Sequence, residues 1–386
     1  MRKKDMRTIP SLSLALVVVI LGTISGCRQL AETAQIDLSK RPSWKLAGIQ
    51  QTFKVSSVLD SGPGTLREAI QLANKSPGPD KIIFTSDDNL YAKPQSITLK
   101  SALPEITGDL LINGYIDNML WKASGITIDC AGKPGIQVAP TVTAKIQYLT
   151  LSNCVRKNGG AIANQGILVL SHIMLMSNQA TSQGGAIFNV GHLQLINSTL
   201  YSNKANDSGG AIYSDTGSLI ITHATISQNT SGDGVGVFTN NESIIRNSIL
   251  FGSQTNESRS GSDCVSTHDS LVTSVQNIIG NSSYCGEVFS SSDPRLAKPG
   301  YFNGPTLSMP ITTKSQAFNW ADNSASLDEL GEPLSWDQRG NGDPRYACGI
   351  ADIGAFEIQP KVKMEVDTLS NLDIRGCTSA KGDCSL

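Results

Sequence analysis

The chain carries a short phrase of glycine and apolar residues that returns at a constant interval. Gly-Gly-Ala-Ile begins at Gly159, Gly184 and Gly209, at equal spacing, and a decayed copy begins at Gly234 after the same interval. Between the copies, short apolar runs and alternations take the place of any helical period. A period of about 25 residues is typical of stacked, similar units. The pattern predicts an all-β solenoid with one repeat in each coil.

Apolar and polar residues both return at fixed places in the repeat. We expect three short strands per coil and, because parallel crossovers are nearly always right-handed, a right-handed parallel β-helix of roughly eight coils over residues 80–290. The inward rows are predicted to be Ile162, Ile187 and Ile212, and Leu170, Leu195 and Ile220. Longer strand-like runs include Ile146 to Leu151. Polar corners are predicted at Ser152-Asn153, Ser177-Asn178, Ser202-Asn203 and Ser227-Gln228.

A short amphipathic helix precedes the strands. Thr65 and Glu68 have the spacing of a capping box, in which the hydroxyl and the carboxylate satisfy free amides at the helix start. Exposed strand edges at the end of a solenoid invite pairing with other chains, so we expect the helix to cover the first coil. Its apolar face is predicted to consist of Leu66, Ala69, Ile70 and Ala73.

Residues 1–26 have the layout of an export signal. A basic start is followed by an apolar run, Leu12 to Leu21, that is too short for an ordinary membrane span. Ile24-Ser25-Gly26-Cys27 resembles the lipobox of bacterial lipoproteins, and the resemblance implies cleavage before Cys27 and acylation of Cys27. Two acyl signals give stable membrane anchoring. Arg28 in place of Asp favours the outer membrane, and a plain secretory signal is the alternative.

The remaining chain divides into four parts. We expect a lipidated tether over 27–52, the β-helix with its N-terminal cap over 53–300, an irregular C-terminal cap over the far end at 301–358, and a flexible tail at 359–386. Within the C-terminal cap, Asp337, Arg339 and Asp352 are predicted to form a structural ion-pair set.

The composition of the chain limits the classes of partner that we expect it to bind. The chain has 31 Lys and Arg against 33 Asp and Glu, with no basic patch, which argues against nucleic acid. Export implies an oxidising compartment, and no cysteine or histidine spacing is typical of a metal site, so we expect disulfides and neither metal nor cofactor. The oligomeric state is left open. The candidate disulfides are Cys130 with Cys154, Cys264 with Cys285, and Cys377 with Cys384, which leaves Cys348 odd.

Three groups of motifs resemble known bacterial surface proteins. Residues 61–70, Ser-Gly-Pro-Gly-Thr-Leu-Arg-Glu-Ala-Ile, resemble the N-terminal signature of CSLREA-type surface β-helix proteins. The Gly-Gly-Ala-Ile and Ser-Asn repeats are similar to those of chlamydial polymorphic outer-membrane proteins. Residues 303–307, 337–340 and 352–357 resemble the choice-of-anchor Q domain. The resemblance covers about residues 53–358 and implies a β-helix displayed at the cell surface, with no agreed catalytic residues.

Candidate chemistry in the repeats is sparse. Asp207 and Asp233 are separated by one coil plus one position and are expected to be neighbours on adjacent coils, as a weak candidate ligand site or as two ordinary turn aspartates. His172 and His223 are expected on one face two coils apart, and neither they nor His192 have a metal-ligand spacing. Arg156, Lys157 and Lys204 are expected to lie out of register with the aspartates, so we expect no base to complete a lyase site.

These observations leave three functional hypotheses. We favour a non-enzymatic, lipid-anchored surface protein that uses a polar β-helix face to bind or adhere to a carbohydrate or a protein surface. A polysaccharide lyase or glycoside hydrolase of the pectate-lyase-like β-helix class is the first alternative, because such sites are built from carboxylates on adjacent coils. A structural component of the cell envelope is the second.

Overall fold

The computed structural model describes residues 48–359 except 86–89, 117–124, 234, 258, 269–270 and 348. The predicted signal peptide, Cys27, nearly all of the tether, the tail with Cys377 and Cys384, and also Gly234 and Cys348 lie outside the described residues. Within them, the strands form four parallel sheets that run along one column. Paired positions on adjacent coils recur after about 25 residues, which confirms the predicted parallel β-helix and its repeat.

Sheets A and B are the two longest, and their strands are numbered in chain order. Sheet A contains β1 Gln51–Val55, β2 Asp80–Phe84, β4 Leu110–Asn113, β7 Thr143–Gln147, β11 Ile167–Ser171, β15 His192–Ile196, β19 Ser218–Thr222, β23 Glu242–Arg246 and β27 Val272–Val275. Sheet B contains β3 Gln95–Thr98, β5 Ile126–Asp129, β8 Leu149–Ser152, β12 Met174–Met176, β16 Thr199–Tyr201, β20 Thr225–Ser227, β24 Ile249–Phe251 and β28 Ile278–Ile279.

Sheets C and D complete each coil. Sheet C contains β6 Ile136–Val138, β10 Ile162–Asn164, β14 Ile187–Asn189, β18 Ile212–Ser214, β22 Val235–Thr239, β26 Ser262–Ser266 and β29 Ser282–Ser283. Sheet D consists of two-residue strands between sheets B and C, a fourth strand per coil where three are predicted. These strands are β9 Val155–Arg156, β13 Gln179–Ala180, β17 Lys204–Ala205, β21 Thr230–Ser231 and β25 Gln254–Thr255.

Apolar rows fill the interior of the column. Ile162 pairs with Ile187, and Ile187 with Ile212, and all three are fully buried as predicted. Burial of each such side chain stabilises the fold by roughly 1.5–3 kcal/mol. The prediction for Ile220 is wrong by one residue: Ile221 continues the row of Leu170 and Leu195, whereas Ile220 pairs with Gln194 on the outer row.

The cause of this slip is an insertion of one residue in a turn. Two residues separate Asn189 from β15, but the turn of Asp215, Thr216 and Gly217 separates Ser214 from β19. The coils therefore differ in length. Sheet B shows this in five residues that pair in succession: Thr150, Met174, Thr199, Thr225 and Ile249. The intervals between them along the chain are unequal, and the widest lies between Thr199 and Thr225.

Left-handed residues form a corner between sheets A and B. The predicted strand from Ile146 to Leu151 is in fact two strands, because Tyr148 has a φ of 57° and turns the chain between β7 and β8. One residue per coil repeats this conformation. This corner row consists of Tyr148, His172, Asn197, His223, Asn247 and Gln276. His172 and His223 thus lie two coils apart as predicted, at a corner and not within a strand.

Each glycine of the repeated pair has its own physical role. Gly184 has a φ of 67°, a conformation that glycine adopts without strain. A Cβ on Gly185 would collide with the carbonyl oxygen of Gly210 and the backbone of Lys204, so the second glycine permits close approach of two coils. The Gly-Gly phrase is therefore required by the packing of sheet D against the start of sheet C.

The predicted Ser-Asn corner separates into two rows. Asn153, Ser177, Ser202 and Gln228 have the left-handed φ, whereas Asn178, Asn203 and Asn229 are buried in the next position. In this asparagine row, Asn178 Nδ2 donates to Asn203 Oδ1 at 2.9 Å and Asn203 Nδ2 donates to Asn229 Oδ1 at 3.0 Å. Asn153 and Gln228 are therefore not members of the buried row. The prediction places them there because it assumes a constant coil length.

Two of the predicted disulfides are confirmed. Cys130 and Cys154 join adjacent coils with their Cα atoms 4.6 Å apart. Cys264 and Cys285 join with their Cα atoms 6.2 Å apart near the far end of the column. All four are buried, so the bonds reinforce the interior of the column.

The predicted helix is confirmed as α1, Leu66–Ala73, with its four apolar residues buried. Thr65 Oγ1 accepts a hydrogen bond from the Glu68 amide, but the Glu68 carboxylate accepts from Gly64, one residue before the cap. Arg67 donates to Asp60 and to the carbonyl oxygens of Ser101 and Ala102. A one-turn 3-10 helix spans Leu90–Ala92, and another spans Asn323–Ala325.

Residues 301–358, here called the lateral segment, pack on the side of the column. The sequence predicts a cover for the far end; instead, the hydrogen bonds that join the segment to the coils end on sheets A and B and on the corner row. Examples are Asn197 Nδ2 to the Trp336 carbonyl, Thr199 Oγ1 to Gln338, and Asn247 Nδ2 to the Asp322 carbonyl. The lateral segment therefore covers the outer faces of two sheets.

Candidate ligand-binding face

A row of aromatic side chains runs along the outer face of sheet C. Phe188 pairs with Tyr213, and Tyr213 with Phe238, at successive rungs of the sheet. Their ring centroids are 5.8 and 4.8 Å apart and the rings are nearly parallel, with interplanar angles of 7° and 12°. All three side chains are half-buried. Because side chains alternate across a strand, the buried Ile187, Ile212 and Val237 that precede the three rings direct the rings outward.

The aromatic row continues as a smaller apolar row at both ends. Ala163 precedes Phe188 and Val265 follows Phe238 in the same register, and both are half-buried. The five residues form the aromatic stripe, defined here as Ala163, Phe188, Tyr213, Phe238 and Val265. The stripe crosses five coils, and adjacent parallel strands are about 4.8 Å apart, so its length is about 19 Å.

Polar rims border the stripe on both sides. On one side, Asn240 Nδ2 donates to Asp215 Oδ1 at 3.2 Å, and Thr267 Oγ1 donates to Asn240 Oδ1 at 2.7 Å. On the other side lie the exposed turns that carry Asp207 and Asp233. The two rims together therefore place three carboxylates beside the apolar row.

Tyr213 lies between the two rims. Burial raises the pKa of Tyr213, the Asp215 carboxylate raises it further, and the Asp233 carboxylate adds a smaller effect in the same direction; a hydrogen bond with Gln183 lowers it. The phenol is therefore neutral at physiological pH. It offers a polar end to an otherwise apolar row.

Asp207 and Asp233 are neighbours on adjacent coils, as predicted. The Asp233 amide donates to the Asp207 carbonyl oxygen at 3.1 Å. Asp207 Oδ2 accepts from Ser182 Oγ at 2.6 Å, whereas Asp233 Oδ1 accepts from the Val235 amide at 3.0 Å. Asp233 thus stabilises its own turn, and a ligand role for the pair stays a prediction. Across the described ranges, no cluster of three His, Cys, Asp or Glu side chains is arranged to hold a metal ion.

A second group of ionisable residues is buried under the lateral segment. Arg339 pairs with Asp337 at 2.6 Å, as predicted, and with Asp343 at 3.0 Å. Asp352 is not its partner: the Asp352 carboxylate accepts from the Asn319 and Ile358 amides. Burial raises the pKa of Asp352 to about 6.

The charged group meets the corner row of the column. Arg345 donates to Asn197 Oδ1 at 2.6 Å and lies 3.8 Å from Glu357, whose pKa burial raises. Burial, with smaller effects of the Lys145 and Arg345 charges, lowers the pKa of His172 to about 3. His223 is fully buried and contacts Ser326 at 2.7 Å. Since these groups are enclosed, the arrangement joins the lateral segment to the coils and offers no access for a substrate.

The aromatic stripe is the feature that inspection of the repeats missed. Phe188, Tyr213 and Phe238 share the interval of the glycine pairs, and each follows the buried isoleucine or valine of its repeat. A search for periodic outward residues, in addition to inward ones, finds them. The interactions of the lateral segment have no comparable signal, because its sequence has no period.

Comparison with known proteins supports a limited resemblance. A sequence model of the Chlamydia polymorphic membrane protein repeat matches residues 197–215, which include β16, β17 and β18. No curated protein matches this chain. The repeat is therefore similar to a β-helix-type repeat of surface proteins. The resemblances to CSLREA-type and choice-of-anchor Q proteins stay predictions. Among helices in the described part of the chain, none is long and apolar enough to cross a membrane.

Proposed function

We propose that this protein is a non-enzymatic surface β-helix that binds a ligand through the aromatic stripe of sheet C. One observation carries the proposal: the lateral segment covers sheets A and B, while Phe188, Tyr213 and Phe238 on sheet C are only half-buried. Aromatic side chains that a partner covers contribute much of the binding energy at protein interfaces. The match to a Chlamydia polymorphic membrane protein repeat supports a location at the bacterial cell surface.

The binding role is tested by removing one ring from the stripe. Tyr213→Thr deletes the ring and puts in its place a β-branched residue that strands also favour. Leu330→Ala removes a 57 % exposed apolar side chain from the lateral segment as the control. The full chain is applied to arrays of polysaccharides and of purified surface proteins. We expect wild type and Leu330→Ala to bind a common ligand and Tyr213→Thr to lose at least about tenfold in affinity. Binding that is unaffected by Tyr213→Thr contradicts the proposal.

We further propose that the protein is exported and anchored through a lipid on Cys27, in the outer membrane. Residues 1–26 and the lipobox-like Ile24 to Cys27 support this. Growth with labelled palmitate tests it: wild type is expected to take up the label and to fractionate with membranes, and Cys27→Ala is expected to do neither. Label on the Cys27→Ala protein contradicts anchoring at this residue.

The polysaccharide lyase or hydrolase alternative makes a different prediction. Elimination at uronic-acid polymers creates unsaturated sugar ends that absorb ultraviolet light, and hydrolysis creates new reducing ends. We expect neither from the full chain on a panel of such polymers. Either product, if lost in Asp207→Asn and retained in Glu242→Gln, replaces the binding role by an enzymatic one. A structural envelope role predicts no ligand on any array.

A further inference from the structure

The stacking of the rings limits what the aromatic stripe can bind. Sugars pack against the faces of aromatic rings, but both faces of Tyr213 lie against Phe188 and Phe238 at 5.8 and 4.8 Å. Solvent therefore meets ring edges, side by side along the column. Such a surface is a narrow apolar strip, suited to aliphatic or aromatic side chains of another polypeptide.

The spacing of the strip matches one secondary structure. Side chains on one face of an α-helix recur every three to four residues, which is about 5.4 Å along the helix axis. The ring centroids at 5.8 and 4.8 Å have nearly this mean spacing. An extended strand places same-face side chains about 6.8 Å apart, so its side chains no longer match the ring positions after one rung. The stripe's length of about 19 Å corresponds to about 13 helical residues, or between three and four turns.

The charges beside the strip determine whether a basic or an acidic partner is favoured. One rim is a row of turns that begins with Lys157 and Ser182 and continues with Asp207 and Asp233, because each residue's amide donates to the carbonyl oxygen of the residue before it in the row. The other rim carries Asp215. The positive charge of Lys157 lies at the Ala163 end of the stripe, whereas the three carboxylates lie beside the rings of Tyr213 and Phe238. A helix over these rings thus has a carboxylate on each side.

We propose that the ligand of the aromatic stripe is a basic amphipathic α-helix of another protein, with its apolar face on the rings and Lys or Arg on both flanks. This inference rests on the proposed binding function and specifies its ligand. Apolar contact with the rings supplies affinity, and the rims select basic over acidic helices through charge complementarity. The rims are exposed, so this selectivity falls as salt rises.

The test uses three labelled peptides of about 14 residues. The first has Leu at helical spacing with Lys on both flanks, the second has Glu in place of Lys, and the third is a scrambled form of the first. Each is titrated with the full chain, and affinity is followed by fluorescence anisotropy and helicity by circular dichroism. We expect the Lys helix to bind at least about tenfold more tightly than the Glu helix and the scrambled peptide, with a gain of helicity.

Protein variants assign the binding to the stripe and its rims. Asp207→Asn/Asp215→Asn removes one carboxylate from each rim, and Glu287→Gln/Glu332→Gln removes two exposed carboxylates away from the stripe as the matched control. The rim variant is expected to lose about fivefold of the preference for Lys, and the control to keep it. Tyr213→Thr is expected to weaken the Lys helix by about tenfold. Equal binding of Lys and Glu helices, or equal loss in both carboxylate variants, overturns the inference.

The outcomes also separate this inference from the proposed function. If a polysaccharide or a second copy of this chain binds in a Tyr213-dependent way and the Lys helix does not, the helix ligand is wrong and the binding function stands. If no ligand of any class depends on Tyr213, both are wrong.

Discussion

The Cys154 amide donates a hydrogen bond of 3.0 Å to Asn178 Oδ1 on the next coil. Cys154 occupies the row position that asparagine takes in the following three coils, and its sulfur is bonded to Cys130 of the preceding coil. A covalent bond thus continues a row of side-chain hydrogen bonds toward the N-terminal end. Both kinds of link hold the same corner of the column together.

The centre of the asparagine row is expected to be sensitive to truncation. Asn203 is fully buried; its Oδ1 accepts from Asn178, and its Nδ2 donates to Asn229 Oδ1 and to the Leu175 carbonyl. Asn203→Ala removes these bonds and leaves the buried Asn178 amide, which also donates to Asn203 Oδ1, without that acceptor, so we expect the free energy of unfolding to fall by about 3 kcal/mol. Urea denaturation measures the change. The exposed Asn240→Ala should stay within about 0.5 kcal/mol, and an equal loss in both variants rules out this explanation.

The disulfide between Cys130 and Cys154 closes a loop of 24 residues. Its removal frees the unfolded chain, so we expect Cys130→Ala/Cys154→Ala to lower the free energy of unfolding by about 3 kcal/mol. Denaturation under oxidising conditions measures the loss. The same comparison with reductant in both samples should shrink the difference, and a difference that persists under reduction would assign the loss to packing of the cysteines.

The second glycine of the repeat is expected to tolerate no side chain. Gly185→Ala places a Cβ against the backbone of Gly210 and Lys204, which must move apart, and we expect a loss of about 3 kcal/mol. Gly132→Ala is the control, because its Cβ meets no atom within 4 Å. Only the positive φ of 77° then disfavours alanine, and we expect the free energy of unfolding to fall by about 1 kcal/mol. Thermal unfolding compares the two, and a larger effect at Gly132 contradicts the close-approach argument.

His172 predicts a dependence of stability on pH. Because burial lowers the pKa of His172 from 6.5 to about 3, its contribution to stability is complete above pH 6.5 and is lost as the pH falls toward 3. His172→Asn fits the corner row, where Asn197 and Asn247 have the same left-handed φ. Between pH 6.5 and 4 we expect wild type to lose about 3 kcal/mol more than the variant.

Urea denaturation at several pH values gives the slope of the free energy of unfolding against pH for wild type and for the variant. Asp352, whose raised pKa of about 6 stabilises the fold as the pH falls, is present in both proteins, so the difference between the slopes isolates His172. Parallel slopes would show that the pKa of His172 is the same in the folded and the unfolded chain, which contradicts the prediction.

The periodic part of the fold is predictable from sequence because its signal repeats. Ile162, Ile187 and Ile212 stand at one place in each copy, and one interval is enough to stack them. Some coils are longer or shorter than others by one residue, so a constant interval does not always find the equivalent position. For this reason the constant period places Ile220 on the wrong face and Asn153 in the wrong row. Two-residue strands such as Gln179–Ala180 are too short for an alternation to mark them.

The position of the lateral segment depends on contacts that no local pattern encodes. The hydrogen bond between Asn197 and Trp336 spans 139 residues, and the one between Arg345 and Asn197 spans 148. The irregular segment contributes a backbone carbonyl and a guanidinium group to these bonds, and it meets them on a surface that the stacked coils create. The aromatic stripe is different: its interval is present in the sequence, but an outward ring does not stand out as a core residue does.

The lateral segment also has a consequence for the fidelity of winding. Its hydrogen bonds reach Asn197, His223, Asn247 and Gln276, one residue on each of four consecutive coils that differ in length. A slip of one residue in any coil would turn that rung's side chain away from its partner. We therefore expect the lateral segment to dock fully only on correctly wound coils, so its docking favours the native register of these four coils over slipped ones.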